Sequence, residues 1–180
     1  MVSRGGDADA GHERGRARVV VRPATDADWD EIYAIFTQVV DEGRTYAYPE
    51  GLSSCDARAL WMEPDPGRTV VAVAGGRVGG TAKMGPNRPG RGSHVATASF
   101  MVHPAQRRLG IATELASHVI EWSRASGYRA IQFNAVVETN TGAVELWTKL
   151  GFEILATVPE AFDDAVNGYV GLHVMYRSLR

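Results

Sequence analysis

The amino-acid sequence predicts one α/β domain built on a mixed sheet of about seven strands, with four helices on its faces. Short apolar runs alternate along the chain with stretches whose apolar residues recur at helical spacing. The resulting order is strand, two helices, three strands, helix, strand, helix, two strands, which is typical of a sheet covered by helices. A length of 180 residues and a hydrophobic content of 44% are those of a single globular domain.

The first strand and the two helices after it come from the N-terminal third of the chain. "RVVVRPAT" predicts a strand that ends at Pro23. Thr25 is a helix-capping residue, and the helix predicted from Asp26 to Glu42 carries one apolar stripe. The stripe consists of Trp29, Ile32, Ile35, Phe36, Val39 and Val40. An aromatic loop then leads to a short helix predicted from Ser53 or Ser54 to Trp61.

The middle of the chain predicts three strands and a helix. "RTVVAVAGGRVGGTAKM" contains two strands joined at Gly75-Gly76, which is a hairpin signal. "HVATASFMV" predicts a further strand. Residues 109–126 have apolar side chains at helical spacing and stop before Gly127. These side chains are Ile111, Leu115, Val119 and Trp122.

The C-terminal part predicts a strand, a helix and two last strands. "IQFNAVVETNTGAVELWTKLGF", residues 131–152, indicates a buried strand, a turn and an amphipathic helix. The inward stripe of this helix consists of Ala143, Leu146, Trp147 and Leu150. "EILATV" and "YVGLHVMYR" predict the last strands, and we expect a loop containing "AFDDAVNG" between them.

The remaining composition indicates a flexible tail and a cytoplasmic protein. Residues 1–17 have few apolar side chains, several glycines and mixed charge, so we expect a tail there and one domain over residues 18–180. A net charge of −2 does not indicate binding to nucleic acid or membrane. The single Cys55 cannot form an internal disulfide, and the chain lacks a long apolar run or a secretory signal. The histidines do not show metal-ligand spacing, so we expect no metal.

"VHPAQRRLGIATEL", residues 102–115, joins the end of a strand to the start of a helix. The first N–H groups of a helix have no internal partner, and the helix dipole there favours negative charge. Small residues at Gly110 and Ala112 let a phosphate approach the backbone, and Arg107 and Arg108 add charged donors. The stretch predicts a pyrophosphate site, with a tight turn bearing two solvated arginines as the alternative. It is neither a Walker loop nor a G-x-G-x-x-G motif.

Two motifs resemble those of the GCN5-related N-acetyltransferase (GNAT) superfamily. "QRRLGIA" at residues 106–112 is similar to its R/Q-x-x-G-x-G/A motif, and "NTGAVELWTKLGF" at residues 140–152 is similar to N-x-x-A-x-x-L-Y-x-K-x-G-F. The resemblance implies a mostly antiparallel sheet in which two strands splay apart to form an acetyl-CoA cleft. It also implies direct attack of an amine on the thioester through a tetrahedral intermediate.

The resemblance further implies which residues bind acetyl-CoA as co-substrate. The backbone of Phe100, Met101 and Val102 should pair with the pantetheine arm, and a β-bulge before Val102 should aim an N–H at the thioester carbonyl. Asn140 should hydrogen-bond the pantetheine, and the backbone amides of one turn should bind the pyrophosphate. Those amides belong to Arg107, Arg108, Leu109, Gly110, Ile111, Ala112 and Thr113.

Trp147 departs from the superfamily pattern. It stands where the superfamily usually has the tyrosine that protonates the departing thiolate, and an indole cannot give up a proton at useful pH. We expect Trp147 to be a wall and hydrogen-bond donor of the cofactor site. The proton is then expected from the substrate ammonium through water, or from Tyr169 or His173.

Asn134 interrupts an apolar strand and predicts either an amide satisfied inside the core or a catalytic and substrate contact. A narrower resemblance to the yeast azetidine-2-carboxylate and proline-analogue N-acetyltransferases favours the contact, and it implies a similar role for Asn167. Glu138, or a water bound by Asn134, is expected to take the proton from the acceptor amine. Tyr46 and Tyr48 are expected in the acceptor wall.

The leading expectation is an N-acetyltransferase acting on a small amine, such as an amino acid or a toxic analogue. Acetylation of an antibiotic or a protein amine is an alternative, for which "PEAFDDA" offers Glu160, Asp163 and Asp164. A non-catalytic acyl-CoA sensor is another, since the usual tyrosine is missing. Dimers are common in similar enzymes, so a homodimer is one expected state.

Overall fold

A computed structural model describes residues 18–180, and the predicted tail over residues 1–17 lies outside them. The strands are β1 (Val20–Pro23), β2 (Arg68–Ala74), β3 (Arg77–Pro86), β4 (Val95–Val102), β5 (Ala130–Val137), β6 (Glu153–Asp164) and β7 (Gly168–Ser178). The helices are α1 (Trp29–Asp41), α2 (Ser54–Trp61), α3 (Ile111–Ala125) and α4 (Thr141–Lys149). The predicted fold class and element order are confirmed.

The strands form one seven-stranded sheet in the order β1-β2-β3-β4-β5-β7-β6. All neighbouring pairs are antiparallel except β4 and β5. That parallel pair has only two register partners, Val95 with Ala130 and Ala96 with Ile131. Beyond these partners the two strands separate, and the separation opens a gap in the middle of the sheet.

A bulge in β5 accompanies the separation. Phe133 pairs with Met175 and Val136 with His173, so two residues of β5 lie opposite a single residue of β7. A bulge bends its strand, which carries β5 away from β4. The bulge expected in β4 is wrong, because β4 pairs with β3 without interruption from Ala96 to Val102.

The helices cover opposite faces of the sheet. The predicted stripe of α1 is buried and packs with Trp61 of α2 on one face, whereas α3 and α4 pack on the other. Alternate residues of β2 show the two faces, since Val70 joins the α3 side and Val71 the α1 side. The N-terminal end of the predicted first helix differs, because Asp26–Asp28 forms a 3-10 turn before α1. Within residues 18–180, no helix combines the length and apolar character needed to cross a membrane.

The loop expected between the last two strands is wrong, because β6 continues to Asp164 and a tight turn leads into β7. Phe162 is buried there against Val137 and Val170. The buried Asp164 carboxylate accepts hydrogen bonds from the Thr139 hydroxyl and from N–H groups of residues 166 and 167. These contacts give the extension a small core and a satisfied polar end, so it remains paired.

Candidate active site

A cleft of about 670 Å³ opens where β4 and β5 separate. It is lined by residues within 45–48 after α1, 97–102 of β4, 106–113 around the start of α3, 133–137 of β5 and 140–147 of α4, and by Val39, Phe162 and Leu172. Cavities of this size commonly bind small molecules or cofactors. Most of the residues that the sequence predicts for cofactor binding meet here. The side chain of Leu109 is an exception, since it is half exposed and does not line the cleft.

The turn before α3 forms one end of the cleft. Arg108 and Gly110 both have left-handed backbone conformations, with φ of 68° and 86°. Within residues 18–180 the N–H groups from Arg108 to Thr113 have no acceptor, because the first bond into the helix runs from Glu114 N–H to Gly110 C=O. These free donors and the positive end of the helix dipole suit an anion.

Two arginines line the same end. The Nη2 atom of Arg107 lies 2.5 Å from Oε2 of Glu42, just after α1. Both side chains are partly exposed, so this ion pair contributes little to stability. Among the described residues Arg108 has no such ion pair. The two arginines therefore differ: Arg107 ties the turn to the end of α1, and Arg108 is available to an anion.

Two glycines of β3 allow the turn to pack on the sheet. A Cβ atom at Gly79 would lie 2.2 Å from Oε1 of Gln106, and one at Gly80 would lie 2.7 Å from a side-chain carbon of Ile111. A larger side chain at Gly79 would displace the ends of the Gln106 and Ile111 side chains, and one at Gly80 would also crowd the Met101 carbonyl oxygen at 3.0 Å. The "GG" in this strand thus serves the cleft as well as the strand.

The hydroxyl of Tyr46 reaches the cleft edge of β4 from the loop after α1. It accepts a hydrogen bond from the Phe100 N–H and donates one to the Phe100 C=O, each at 2.8 Å. Backbone groups alternate in direction along a strand, so those of Ala98 and Val102 also face the cleft, whereas those of Met101 face β3. The expectation that the Met101 backbone pairs with a ligand is therefore wrong. Burial raises the pKa of Tyr46 well above its ordinary value, so the phenol stays neutral.

Trp147 lies in the wall of the cleft. Its ring centroid is 4.7 Å from that of Phe100 and 4.8 Å from that of Phe133, and the side chain is buried. Asn140 caps α4 from the same wall, because its Oδ1 accepts a hydrogen bond from the Ala143 N–H. The aromatic cluster excludes water from one side of the cleft at the level of Phe100.

Asn134 lies at the mouth of the cleft, on the bulge of β5. Of the two alternatives from the sequence, the amide satisfied inside the core is wrong, because the bulge turns the side chain outward to an exposed position. Its Nδ2 donates to Oδ1 of Asn87 at 2.6 Å, and its Oδ1 accepts from Nε2 of Gln132 at 2.8 Å. A chain of three amides therefore crosses from β5 to the loop after β3.

A second cavity of about 350 Å³ adjoins the cleft. The two share Tyr48, Thr97, Ala98, Ser99 and Asn134. The other walls come from residues 63–67, before β2, and from the end of β3. Glu63 and Lys83 form an ion pair there, with Oε1 and Nζ 3.0 Å apart, and Asp65 adds a further carboxylate. The second cavity therefore offers both signs of charge.

Three residues predicted for catalysis or substrate binding do not reach the cleft. The Glu138 carboxylate accepts a hydrogen bond from the Gly171 N–H, so it terminates the ladder between β5 and β7. Tyr169 is 71% exposed on β7, and Asn167 donates to Asp164 in the turn before it. All three lie outside the lining, although the hairpin of β6 and β7 reaches the cleft with Phe162 and Leu172.

Two other sequence-based expectations change in the same region. His173 contacts the Thr157 hydroxyl through Nδ1 and does not line the cleft. Glu160, Asp163 and Asp164 do not line it either, so they supply no acidic wall.

Sequence reasoning missed Asn87 and the charged residues of the second cavity. Asn87 sits in a loop of Gly, Pro and Arg that carries no local signal of a contact 47 positions away. Glu63 and Asp65 alternate with Pro64 and Pro66 in "EPDPG", and that acidic pair is the sequence feature that could have indicated a charged cavity.

Comparisons with known proteins agree with this geometry. The family model described as acetyltransferase (GNAT) family matches residues 29–152. The chain is 54% identical to a GCN5-related N-acetyltransferase from Kribbella flavida, with a TM-score of 0.86 over 89% of this chain and 97% of that one. It is 23% identical to yncA from Salmonella typhimurium, solved with its cofactor acetyl-CoA, with a TM-score of 0.77 over 91% and 95% of the two chains. That second similarity concerns the fold alone.

A curated relative matches over a shorter segment. N-acetyltransferase aca1 of Schizosaccharomyces pombe is 34% identical over 76 residues, which are 42% of this chain and 36% of that protein. The similarity therefore covers about a third of aca1.

Proposed function

This chain belongs to the acetyltransferase (GNAT) family, and from that premise we propose that it transfers the acetyl group of acetyl-CoA to the amine of a small molecule, an amino acid or an analogue of one. One observation carries the proposal. A single cleft connects the anion-binding turn before α3 with a second cavity that offers both signs of charge. Between them runs the open edge of β4.

The residues of the cleft fit acetyl-CoA. The free N–H groups from Arg108 to Thr113 suit its pyrophosphate, and the cleft-facing backbone groups of Ala98 and Val102 suit the amides of its pantetheine arm. The Thr45 hydroxyl is buried in the lining without a partner among the described residues, so a ligand atom would satisfy it. Acetyl-CoA supplies an acyl thioester that an amine can attack directly.

The chain itself contributes position and electrostatics to the transfer. Phe100 presents an N–H at the cleft edge, and Trp147 excludes water beside it. The acceptor ammonium must lose a proton before attack. Asn134 is fixed by Asn87 and Gln132, and it keeps one N–H and one lone pair for the acceptor or for a water that takes the proton.

The second cavity favours an amino-acid-like acceptor. An amino acid carries an ammonium and a carboxylate, which complement Asp65 and the Glu63–Lys83 pair. The resemblance to the yeast proline-analogue enzymes supports the same class, and the partial match to N-acetyltransferase aca1 supports acetyl transfer to an amine. An antibiotic acceptor has less support, because the acidic residues of β6 do not line the cleft.

A thiol-release assay with a panel of amines tests the proposal. The panel contains amino acids, cyclic amino-acid analogues, an aminoglycoside and a peptide amine. We expect saturable turnover on at least one amino acid or analogue. Turnover on the aminoglycoside or peptide alone would reject the acceptor class, and acetyl-CoA binding without turnover on any amine would indicate a sensor.

A further inference from the structure

Tyr46 is held rigidly at the cleft edge. Its ring stacks on Tyr48 with centroids 5.5 Å apart and meets the edge of Trp61 at 6.0 Å. Its hydroxyl bonds both backbone groups of Phe100. A side chain anchored on three sides places its oxygen with little freedom, so the hydroxyl is a preorganised group rather than a mobile one.

The position of Phe100 allows the Tyr46 hydroxyl a role in the reaction as well as in the structure. Phe100 lies within the run of β4 that lines the cleft, between the turn before α3 and the second cavity, and its ring contacts Trp147. The Tyr46 hydroxyl oxygen accepts the Phe100 N–H, so a ligand oxygen that approaches this edge meets the phenol O–H and not the backbone N–H. The phenol O–H is therefore the donor that a ligand oxygen can reach at this point of the cleft, and the Phe100 N–H polarises it.

We propose that Tyr46 is a catalytic residue whose hydroxyl donates a hydrogen bond to the thioester carbonyl oxygen while its own oxygen keeps the hydrogen bond from the Phe100 N–H. The inference rests on the proposed function. The phenol O–H turns from the Phe100 C=O to the acyl oxygen and stabilises the negative charge that develops there. The role differs from that of the tyrosine usually found at the position of Trp147, because Tyr46 keeps its own proton.

The proton and electron balance of the transfer requires no other change at Tyr46. The acceptor nitrogen forms its bond to the carbonyl carbon while the π electron pair of the carbonyl moves to oxygen. When the carbonyl re-forms, the carbon–sulfur bond breaks and its electron pair goes to sulfur. The proton released by the amine passes to water, and water returns one to sulfur. The raised pKa of the phenol agrees with a group that donates a hydrogen bond without ionising.

Two ligands that differ only at the carbonyl distinguish a catalytic role of Tyr46 from a purely structural one. S-ethyl-CoA has a methylene in place of the thioester carbonyl of acetyl-CoA. Calorimetry gives the ratio of their dissociation constants for wild type, Tyr46→Phe and Tyr33→Phe. Tyr33→Phe is the control. It also deletes a hydroxyl, which donates to the Leu52 backbone carbonyl at 2.8 Å, but Tyr33 does not line the cleft.

We expect Tyr46→Phe to reduce the preference for acetyl-CoA over S-ethyl-CoA by about fivefold, and Tyr33→Phe to leave it unchanged. With an acceptor present, Tyr46→Phe should lower kcat by about 100-fold and change the KM for acetyl-CoA less than about threefold. An unchanged ligand preference in Tyr46→Phe overturns the inference. Failure of both ligands to bind wild type overturns the proposed function instead.

A measurement on wild type alone covers the case in which Tyr46→Phe does not fold. The isotope-labelled acetyl carbonyl of bound acetyl-CoA should show an infrared band at lower wavenumber than in water, because the fixed phenol O–H of Tyr46 polarises it. A band at or above its position in water would overturn the inference.

Discussion

Replacing Asn134 with alanine tests whether the amide at the cleft mouth takes part in acyl transfer. The side chain is exposed, and its partners Asn87 and Gln132 are partly exposed, so water can satisfy them after the change. We therefore expect the free energy of unfolding to change by less than about 0.5 kcal/mol. Affinity for acetyl-CoA should change less than about twofold, because Asn134 lies far along the cleft from the turn before α3.

The expected effect on turnover is much larger. A hydrogen bond to a charged group contributes about 1.5 to 3 kcal/mol, and losing it from the transition state lowers kcat by roughly 10- to 150-fold. Asn87→Ala leaves Asn134 in place but removes its anchor on the far side of the mouth. We expect a smaller loss in that variant, of about three- to tenfold, because Asn134 must then be ordered during the reaction.

The assay is thiol release at saturating acetyl-CoA with the best acceptor of the amine panel, with calorimetry for acetyl-CoA and a thermal melt for each variant. If Asn134→Ala keeps kcat within twofold of wild type, the amide chain is only a surface contact and the proposed role of Asn134 is refuted. If Asn134→Ala loses acetyl-CoA affinity and turnover together, the residue acts on the cofactor and not on the acceptor.

Three further perturbations test other parts of the site. Gly110→Ala should raise the dissociation constant for acetyl-CoA at least fivefold by calorimetry, because φ of 86° costs a residue with a side chain about 1 to 2 kcal/mol. The control is Gly127→Ala, at φ of 81° beyond the far end of α3. This variant should lose similar stability in a thermal melt but keep its affinity for acetyl-CoA. Glu138→Gln should keep kcat within about twofold, since an amide oxygen can still accept from the Gly171 N–H, and a tenfold loss would restore Glu138 as the base. Hydrogen bonds, the largest effect being that of the Val166 N–H, lower the pKa of Asp164 from 3.8 to about 2. The unfolded chain therefore binds a proton at this carboxylate at higher pH than the folded chain does. Stability should fall as the pH drops from about 4 to 2. In thermal melts across that pH range, Asp164→Asn should lose less stability than wild type as the pH falls. An equal loss in both proteins would show that Asp164 does not cause the pH dependence.

The sequence by itself determined the elements and the turn before α3 that we propose as the pyrophosphate site, because both depend on local pattern. The α1 stripe is buried at each predicted position, since helical periodicity places those side chains on one face regardless of what covers them. The turn before α3 is similarly local. Gly110 permits the left-handed conformation there, and the helix start leaves its N–H groups free without help from distant residues.

Only the tertiary structure decided what surrounds the reacting end. Tyr46 bonds Phe100 across 54 positions and Asn134 bonds Asn87 across 47, and no periodicity encodes such pairs. The bulge in β5 shifts the side-chain phase by one residue, which exposes Asn134 and buries Val136 on the face of Phe133. The long hairpin of β6 and β7 likewise carries Tyr169 and Asn167 away from the gap. Strand alternation predicts faces only while the pairing is regular, and this site lies where that regularity ends.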